Sequence, residues 1–166
     1  MGRWRPPAEK SSPYITKEGY ERLNAELKHL WKVRRPEVTQ ALKEAAAEGD
    51  RSENAEYIYR KKELREIDRR VRYLAKRMDH FKVVEHLPEQ RDTVFFGAWV
   101  TLVDEEDKEI EYRIVGADEI NPKLGYISVD APLSRKLLKR QLGEEIEHNT
   151  PDGRTLWYEI LAIRYE

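Results

Sequence analysis

The chain has 166 residues, of which 38% are charged, yet its formal net charge is only −1 and it contains no cysteine. The absence of cysteine excludes disulfides and thiolate metal sites. No apolar run reaches membrane-spanning length and the polar N-terminal stretch lacks a signal-peptide core, so we expect a cytoplasmic protein.

The charges divide the chain into two unlike halves. Residues 1–83 carry 21 Lys and Arg against 14 Asp and Glu, a net charge of +7. Residues 84–166 carry 10 Lys and Arg against 18 Asp and Glu, a net charge of −8. This opposition predicts separate domains that face different partners, and the basic half is a candidate for binding nucleic acid.

The first half begins with a polar stretch, residues 1–13, that is predicted to be a disordered extension. Thr16 is a suitable N-cap for a long helix, and Gly49 stands where a C′ glycine would end it. Pro36 removes a backbone donor and is expected to bend or interrupt this helix. The apolar positions with helical spacing are Tyr20, Leu23, Leu27, Leu30, Val38, Leu42 and Ala45.

A second, more regular apolar stripe follows, with members three or four residues apart. It comprises Tyr57, Leu64, Ile67, Val71, Leu74, Met78 and Phe81. Because each helix has only one narrow apolar seam, the two helices are predicted to pair through a short turn at residues 49–52. The prediction is an antiparallel coiled-coil hairpin over residues 14–83.

After a predicted linker at residues 84–92, the apolar pattern changes from helical to alternating, which indicates β-strands. The predicted strands are residues 93–103, 109–116, 126–129 and 156–165. A short helix is predicted at Leu133–Leu142 and a tight turn at Asn149–Gly153. Residues 93–166 are therefore expected to form a small antiparallel α+β domain with one helix.

The turn between the predicted helices, GDRSENAEY at residues 49–57, allows two interpretations. Asp50 and Glu53 have capping-box spacing, and Ser52 is an alternative N-cap. Equally, two carboxylates three residues apart at a helix start could reach one cation. Two carboxylates alone hold Mg²⁺ weakly, so such a site would need ligands from another macromolecule.

An ordered set of motifs runs from about Tyr14 to the C-terminus. They are TKEGYERLNAEL (16–27), RPEVT (35–39), GDRSENAEY (49–57), KKELREIDRRVRYL (61–74), VFFGAWV (94–100), YRIVGADEI (112–120), YISVDAP (126–132) and NTPDG (149–153). In this combination and order they resemble the bacterial Gre transcript-cleavage factors, a family of transcription elongation factors, and specifically the GreB type.

The resemblance implies an accessory factor, not an enzyme, whose hairpin enters the secondary channel of RNA polymerase. The polymerase then cuts the 3′ end of its own backtracked RNA. Asp50 and Glu53 are implied to help hold a Mg²⁺ ion shared with the polymerase and to position the attacking water, with Ser52 and Asn54 as tip neighbours. The chain alone is expected to bind no cofactor stably. A non-catalytic regulator of the same channel is the alternative, and the presence of both acids argues against it.

For the second domain, the resemblance implies an FKBP-like fold that docks on a coiled coil at the rim of the secondary channel. Ser128, Asp130 and Pro132 match the loop that makes this contact and are implied to bind the polymerase. We expect the protein to be a monomer.

Nine basic residues and three acidic residues lie between Arg60 and Arg77. They fit either a solvated helix face with pairs such as Glu66–Arg70 or a surface that follows phosphates. The resemblance favours contact with extruded RNA. No aromatic residue is interleaved with these basic residues, so base stacking is not expected. The candidate RNA-binding residues are Arg60, Lys61, Lys62, Arg65, Arg69 and Arg72, and together with Lys76 they form the basic stripe.

Overall fold

The computed structural model describes residues 10–49, 53–85 and 87–165. Tyr20–Phe81 form one compact unit, the hairpin unit, and the described residues before and after it form a second, the sheet unit. The sequence pattern assigned residues from 14 onward to the hairpin, whereas the contacts place those before Tyr20 in the sheet unit. No helix in the described part of the chain is long and apolar enough to cross a membrane.

The first helix begins at the predicted cap. α1 spans Lys17–His29. The Thr16 hydroxyl accepts a hydrogen bond from the Gly19 N–H at 3.0 Å, which satisfies one of the free donors of the first turn. The prediction that Thr16 is the N-cap is confirmed.

The helix then passes through a π-helical turn, Leu30–Arg34, before continuing as α2, Arg35–Ala46. At the end of this turn the Arg35 N–H donates to the carbonyl of Leu30, one residue further back than in an α-helix. Pro36 follows directly and has no N–H to offer the regular pattern. The predicted interruption at Pro36 is therefore confirmed, and its form is a π-helical turn.

The second arm is α3, which spans Ala55–Met78. The two arms contact each other in an antiparallel sense, from Tyr20 against Phe81 at one end to Ala45 against Asn54 at the other. The predicted antiparallel helical hairpin is confirmed. Its buried apolar side chains in the described ranges are Leu23, Val38, Ala45, Ile67 and Leu74, all of which belong to the predicted seams.

The sheet unit contains a five-stranded sheet and a separate two-stranded one. The strands are β1 Tyr14–Thr16, β2 Lys82–Val84, β3 Trp99–Val103, β4 Glu109–Val115, β5 Tyr126–Ser128, β6 Glu145–Asn149 and β7 Thr155–Arg164. The larger sheet has the order β5-β4-β3-β7-β6. β4 and β5 pair in parallel and the other neighbours are antiparallel. The prediction of a wholly antiparallel sheet is wrong at this one pair, where a crossover containing a 3₁₀ turn, Pro122–Leu124, returns the chain.

The core of the sheet unit lies between one face of the larger sheet and the short helix α4, Pro132–Leu137. The predicted helix extended to Leu142. It ends earlier because the backbone of Lys139 and Arg140 forms hydrogen bonds with Val94 at 2.7 and 2.8 Å instead of continuing the helix. The buried core residues are Val94, Ala98, Val100, Leu102, Ile114, Leu137, Ile146 and Ile160.

The smaller sheet joins β1 and β2 in parallel. Just before β1, the Pro13 carbonyl accepts a hydrogen bond from the Lys82 N–H at 2.9 Å, and the Ser12 N–H donates to the Asp130 carboxylate at 2.8 Å. This part of the predicted disordered extension is therefore ordered, whereas residues 1–9 lie outside the described residues. Val84, assigned by the sequence pattern to a linker, is part of β2.

A buried carboxyl group fixes the start of α1. Glu119 is only 3% exposed, and its Oε2 accepts the N–H groups of Thr16 at 3.1 Å and Gly116 at 2.7 Å. Its Oε1 accepts the Thr16 hydroxyl. A Cβ at Gly19 would overlap this same carboxyl group, so glycine is required there for space. Sequence reasoning assigned no role to Glu119.

Candidate functional site

The turn at the end of the hairpin begins with a tightened helix terminus. After Ala46, the N–H groups of Ala47 and Glu48 donate to the carbonyls of Glu44 and Ala45, both at 3.2 Å. Gly49 then adopts a φ of +142°, a conformation that favours glycine. The prediction that Gly49 is the C′ residue is wrong, because it lies two positions beyond the C-cap, Ala47.

The other side of the turn is closed by Asn54. Its Oδ1 accepts the Tyr57 N–H at 3.1 Å, which makes it the N-cap of α3. Its Nδ2 donates to the carbonyl of Ala45, near the end of α2, at 2.7 Å. One side chain therefore binds both helices of the hairpin. The predicted caps, Asp50 with Glu53 at N3 or Ser52, are wrong because α3 begins at Ala55.

Glu53 lies directly before the cap and its side chain is exposed. Among the described residues, none donates a hydrogen bond to its carboxylate or forms an ion pair with it. Asp50 and Ser52 lie outside the described residues. That the carboxylates of Asp50 and Glu53 can reach one cation therefore stays a prediction. No group of three or more His, Asp or Glu side chains in the described part of the chain is arranged to hold a metal ion.

Two of the four acidic residues of α3, Glu63 and Asp68, bind arginines of the opposite arm. Arg34 binds Glu63, and Arg35 binds Asp68 at 2.8 Å. In the reverse direction, Arg70 on α3 binds Glu26 on α1 at 2.8 Å. The predicted Glu66–Arg70 pair is therefore wrong, because Arg70 reaches across the hairpin.

Most of the basic stripe has no acidic partner in the part of the chain that the structure describes. The exposed side chains that form no ion pair with a described carboxylate are Lys61, Lys62, Arg65, Arg69 and Lys76. Arg72 makes one long hydrogen bond, at 3.5 Å, to the Asp68 carbonyl. The stripe therefore presents uncompensated positive charge to solvent.

Arg60 differs from the rest of the stripe. It donates hydrogen bonds to Glu56 at 2.8 Å and to Glu63 at 3.0 Å, and these bonds raise the pKa of its guanidinium above the ordinary value. Its charge is therefore compensated within the helix, which makes it the weakest of the candidate RNA contacts.

Aromatic side chains also lie beside the stripe. Tyr73 is 43% exposed, and the guanidinium carbon of Arg70 lies 5.6 Å from the centroid of its ring. The expectation that no aromatic residue is interleaved with the basic side chains is wrong. The signal was visible in the sequence, since Tyr73 is four residues from Arg69 and therefore on a neighbouring position of the helix surface.

The candidate polymerase-binding loop of the sheet unit is held by internal hydrogen bonds. Ser128 is 8% exposed, its hydroxyl accepts the Asp130 N–H at 3.0 Å, and its carbonyl accepts the buried Ser134 hydroxyl at 2.5 Å. Asp130 is half-buried and binds Ser12. Pro132 is exposed at the start of α4. Ser128 and Asp130 thus shape the loop, and Pro132 is the one of the three that faces solvent.

Two protein-family models match the chain, one described as "Transcription elongation factor, N-terminal" over residues 13–83 and one as "Transcription elongation factor, GreA/GreB, C-term" over residues 89–165. The chain belongs to the GreA/GreB family of transcription elongation factors. Together the two models cover both the hairpin with its tip and the sheet unit with its loop.

Relatives within the GreA/GreB family match over nearly the full length. A transcription elongation factor GreB of Xanthomonas axonopodis pv. citri is 58% identical over 166 residues, covering 99% of this chain and 98% of the relative. One of Pseudomonas aeruginosa is 54% identical over 165 residues, with the same coverage. The solved structure of GreA factor homolog 1 of Thermus thermophilus is similar at 25% identity and a TM-score of 0.41, covering 91% of this chain and 97% of that one.

Proposed function

We propose that this chain stimulates RNA polymerase to cleave the 3′ end of backtracked RNA. The hairpin enters the secondary channel of the polymerase and brings Asp50 and Glu53 to its active centre. The observation that carries the proposal is the way the tip is closed. Asn54 caps α3 and binds α2, and the adjacent Glu53 is exposed, with no bond to its carboxylate from any described residue. Membership of a transcription elongation factor family supports this function.

The donor chemistry of the tip fits a divalent cation such as Mg²⁺, which prefers carboxylate and other oxygen ligands. Asp50 and Glu53 would hold it together with ligands from the polymerase. When bound there, the ion supplies an activated water for attack on a phosphodiester. The chain's own contribution is to place two acceptor groups that orient this water and compensate the charge of the ion.

The basic stripe supports contact with the extruded RNA. Its exposed cations have no carboxylate partners among the described residues, so they are available to phosphates. Contacts of this kind are independent of sequence and weaken strongly with salt. Pro132, exposed beside Asp130, is the best placed of the three loop residues to contact the polymerase rim. We propose that the protein acts there as a monomer.

The test is a halted, backtracked elongation complex supplied with Mg²⁺ and 5′-labelled RNA. Asp50→Asn and Glu53→Gln are each expected to slow stimulated cleavage by about 100-fold, the scale of losing one positioned proton acceptor or ligand. The matched control is Glu56→Gln, which removes the same charge from a side chain already bound to Arg60 at 2.8 Å. It is expected to retain cleavage.

Competition against labelled native protein measures polymerase binding, which the tip variants should leave unchanged. Cleavage at the native rate by either variant would remove the assigned role from that residue. A native protein that blocks RNA extension without shortening the RNA would establish the channel regulator instead. Cleavage in the absence of polymerase would contradict the accessory role.

A further inference from the structure

Tyr73 lies among basic side chains on the surface of α3. Residues three and four positions away are neighbours on a helix surface, and for Tyr73 all four of them are basic. They are Arg69, Arg70, Lys76 and Arg77. We propose that Tyr73 is a stacking site for one base of single-stranded RNA, with the neighbouring cations binding the flanking phosphates. This inference rests on the proposed function and adds a base contact to it.

The ring of Tyr73 is held in place. The guanidinium of Arg70 lies over it, 5.6 Å from the ring centroid. Arg70 is in turn fixed by three hydrogen bonds to Glu26 across the hairpin, one from Nε at 3.1 Å and two from Nη2 at 3.3 and 2.8 Å. A ring that is already ordered loses less conformational entropy when a base stacks on it.

The surroundings of Tyr73 offer both space and charge. Glu66, Arg69, Arg70 and Tyr73 line a shallow depression of about 330 Å³. Arg69 and Lys76 are exposed and form no ion pair with any carboxylate in the described ranges. Single-stranded nucleic acid is bound by this combination, in which aromatic rings stack on bases and cations follow the backbone. The positive charge selects a polyanion over an apolar protein segment as the occupant.

Tyr59 provides an internal comparison on the same helix. It is more exposed than Tyr73, 59% against 43%, so exposure alone would favour it. Its neighbours at the same offsets are Ala55, Glu56, Lys62 and Glu63, which together carry net negative charge. The nearby Arg60 is bound by Glu56 and Glu63. Tyr59 therefore has one exposed cation, Lys62, among these neighbours against two carboxylates, whereas all four neighbours of Tyr73 are basic, and Tyr59 serves as the matched control.

Tyr73 also lies far from the tip. It is 20 residues from Glu53, which corresponds to about 30 Å at the helical rise of ~1.5 Å per residue. A base stacked there belongs to RNA well away from the bond that is cut. The site would therefore hold extruded RNA along the hairpin and would leave the chemistry at the tip unchanged.

The experiment measures binding of the full chain, without polymerase, to a fluorescent single-stranded RNA of about 12 nucleotides, within the range of typical site sizes. Tyr73→Ala is expected to raise Kd at least about 5-fold, the lower end of the effect of removing one stacked base. Tyr73→Phe keeps the ring and should bind like the native protein. Tyr59→Ala should also bind like the native protein.

Two further measurements separate stacking from charge. An abasic RNA with the same phosphates should bind native protein and Tyr73→Ala equally well. Arg69→Ala should lower the slope of log K against log salt by about 0.7, the value for one phosphate contact on a single strand, whereas Tyr73→Ala should leave the slope unchanged.

The proposal is overturned if Tyr73→Ala binds RNA like the native protein, or if it loses equal affinity for normal and abasic RNA. Absence of RNA binding by the native chain would also overturn it. Loss of polymerase binding with RNA binding intact would instead assign Tyr73 to a protein contact. Because the tip acids are tested by cleavage in the elongation complex and this site by RNA binding alone, failure of one proposal is distinguishable from failure of the other.

Discussion

Glu119 in the sheet unit and Glu53 in the hairpin unit carry the same carboxyl group in opposite surroundings. Glu119 is buried and accepts three hydrogen bonds from Thr16 and Gly116. Glu53 is exposed, and the adjacent Asn54 makes the bonds that close the turn. The partners of a carboxylate, more than its position in a motif, decide whether it stabilises the fold or is available to a ligand.

The largest expected effect is at the buried member of this comparison. Glu119→Ala leaves two backbone N–H groups and one hydroxyl without their acceptor, which we expect to lower the free energy of unfolding by about 3–5 kcal/mol. Glu119→Gln keeps one oxygen acceptor and the shape of the side chain, so a smaller loss of about 1–2 kcal/mol is expected. Chemical denaturation followed by circular dichroism measures both. Equal stability of native protein and Glu119→Ala would show that the carboxyl group has no structural role.

Gly19→Ala tests the same contact through the direction in which the free energy of unfolding changes. At an ordinary helix position this change stabilises by about 0.5–1 kcal/mol. Here the new Cβ overlaps the Glu119 carboxyl group, so destabilisation is expected in the same denaturation measurement. A stabilised variant would mean that Glu119 moves aside at little cost.

An intermediate effect is expected at the cap of α3. Asn54→Ala removes both the bond to the Tyr57 N–H and the bond to the Ala45 carbonyl, which we expect to cost about 1–2 kcal/mol. Asn54→Asp keeps the capping acceptor and loses only the donor to Ala45, so it should fall between the native protein and Asn54→Ala. Amide hydrogen exchange of Tyr57 measures the local loss. Native-like exchange in Asn54→Ala would assign the cap to another group.

We expect the smallest change in stability at the exposed carboxylate of Glu53. Glu53→Gln is expected to change the free energy of unfolding by less than about 0.5 kcal/mol, as is usual for an exposed side chain, and Glu53 has no partner among the described residues. The same variant is the one expected to lose stimulated cleavage. A loss of stability greater than about 1 kcal/mol would make Glu53 a structural residue and would undermine the contrast with Glu119.

Much of the hairpin was predictable because its signals are periodic. The two seams predicted from spacing contain all five of the buried apolar side chains described in the hairpin. The N-cap at Thr16 and the interruption at Pro36 follow from local backbone chemistry. The tip was less predictable. Asp50, Ser52 and Asn54 all have side chains suited to an N-cap, and Asn54, the observed cap, makes a second contact with Ala45 in the opposite arm that the local sequence does not show.

The short strands β1 and β2 were not predictable for a different reason. Each has three residues, too few to establish a period of two, and they are brought together from opposite ends of the hairpin sequence. The prediction of a Glu66–Arg70 pair was wrong for a similar reason. The actual partner of Arg70 is Glu26, which is far away in sequence and close in space. Contacts between distant segments leave no local pattern.

The π-helical turn changes the spacing between buried positions along the first arm. Leu23 and Val38, both buried, are 15 positions apart, whereas Val38 and the buried Ala45 are 7 apart. Two heptads would account for 14 positions, and the wider turn at Leu30–Arg34 absorbs the remaining residue. Trp31 and Val33 within it are exposed, so the extra residue bulges toward solvent. The turn thus has the form of a single-residue insertion. The apolar positions before it and after it both remain in the seam that faces α3.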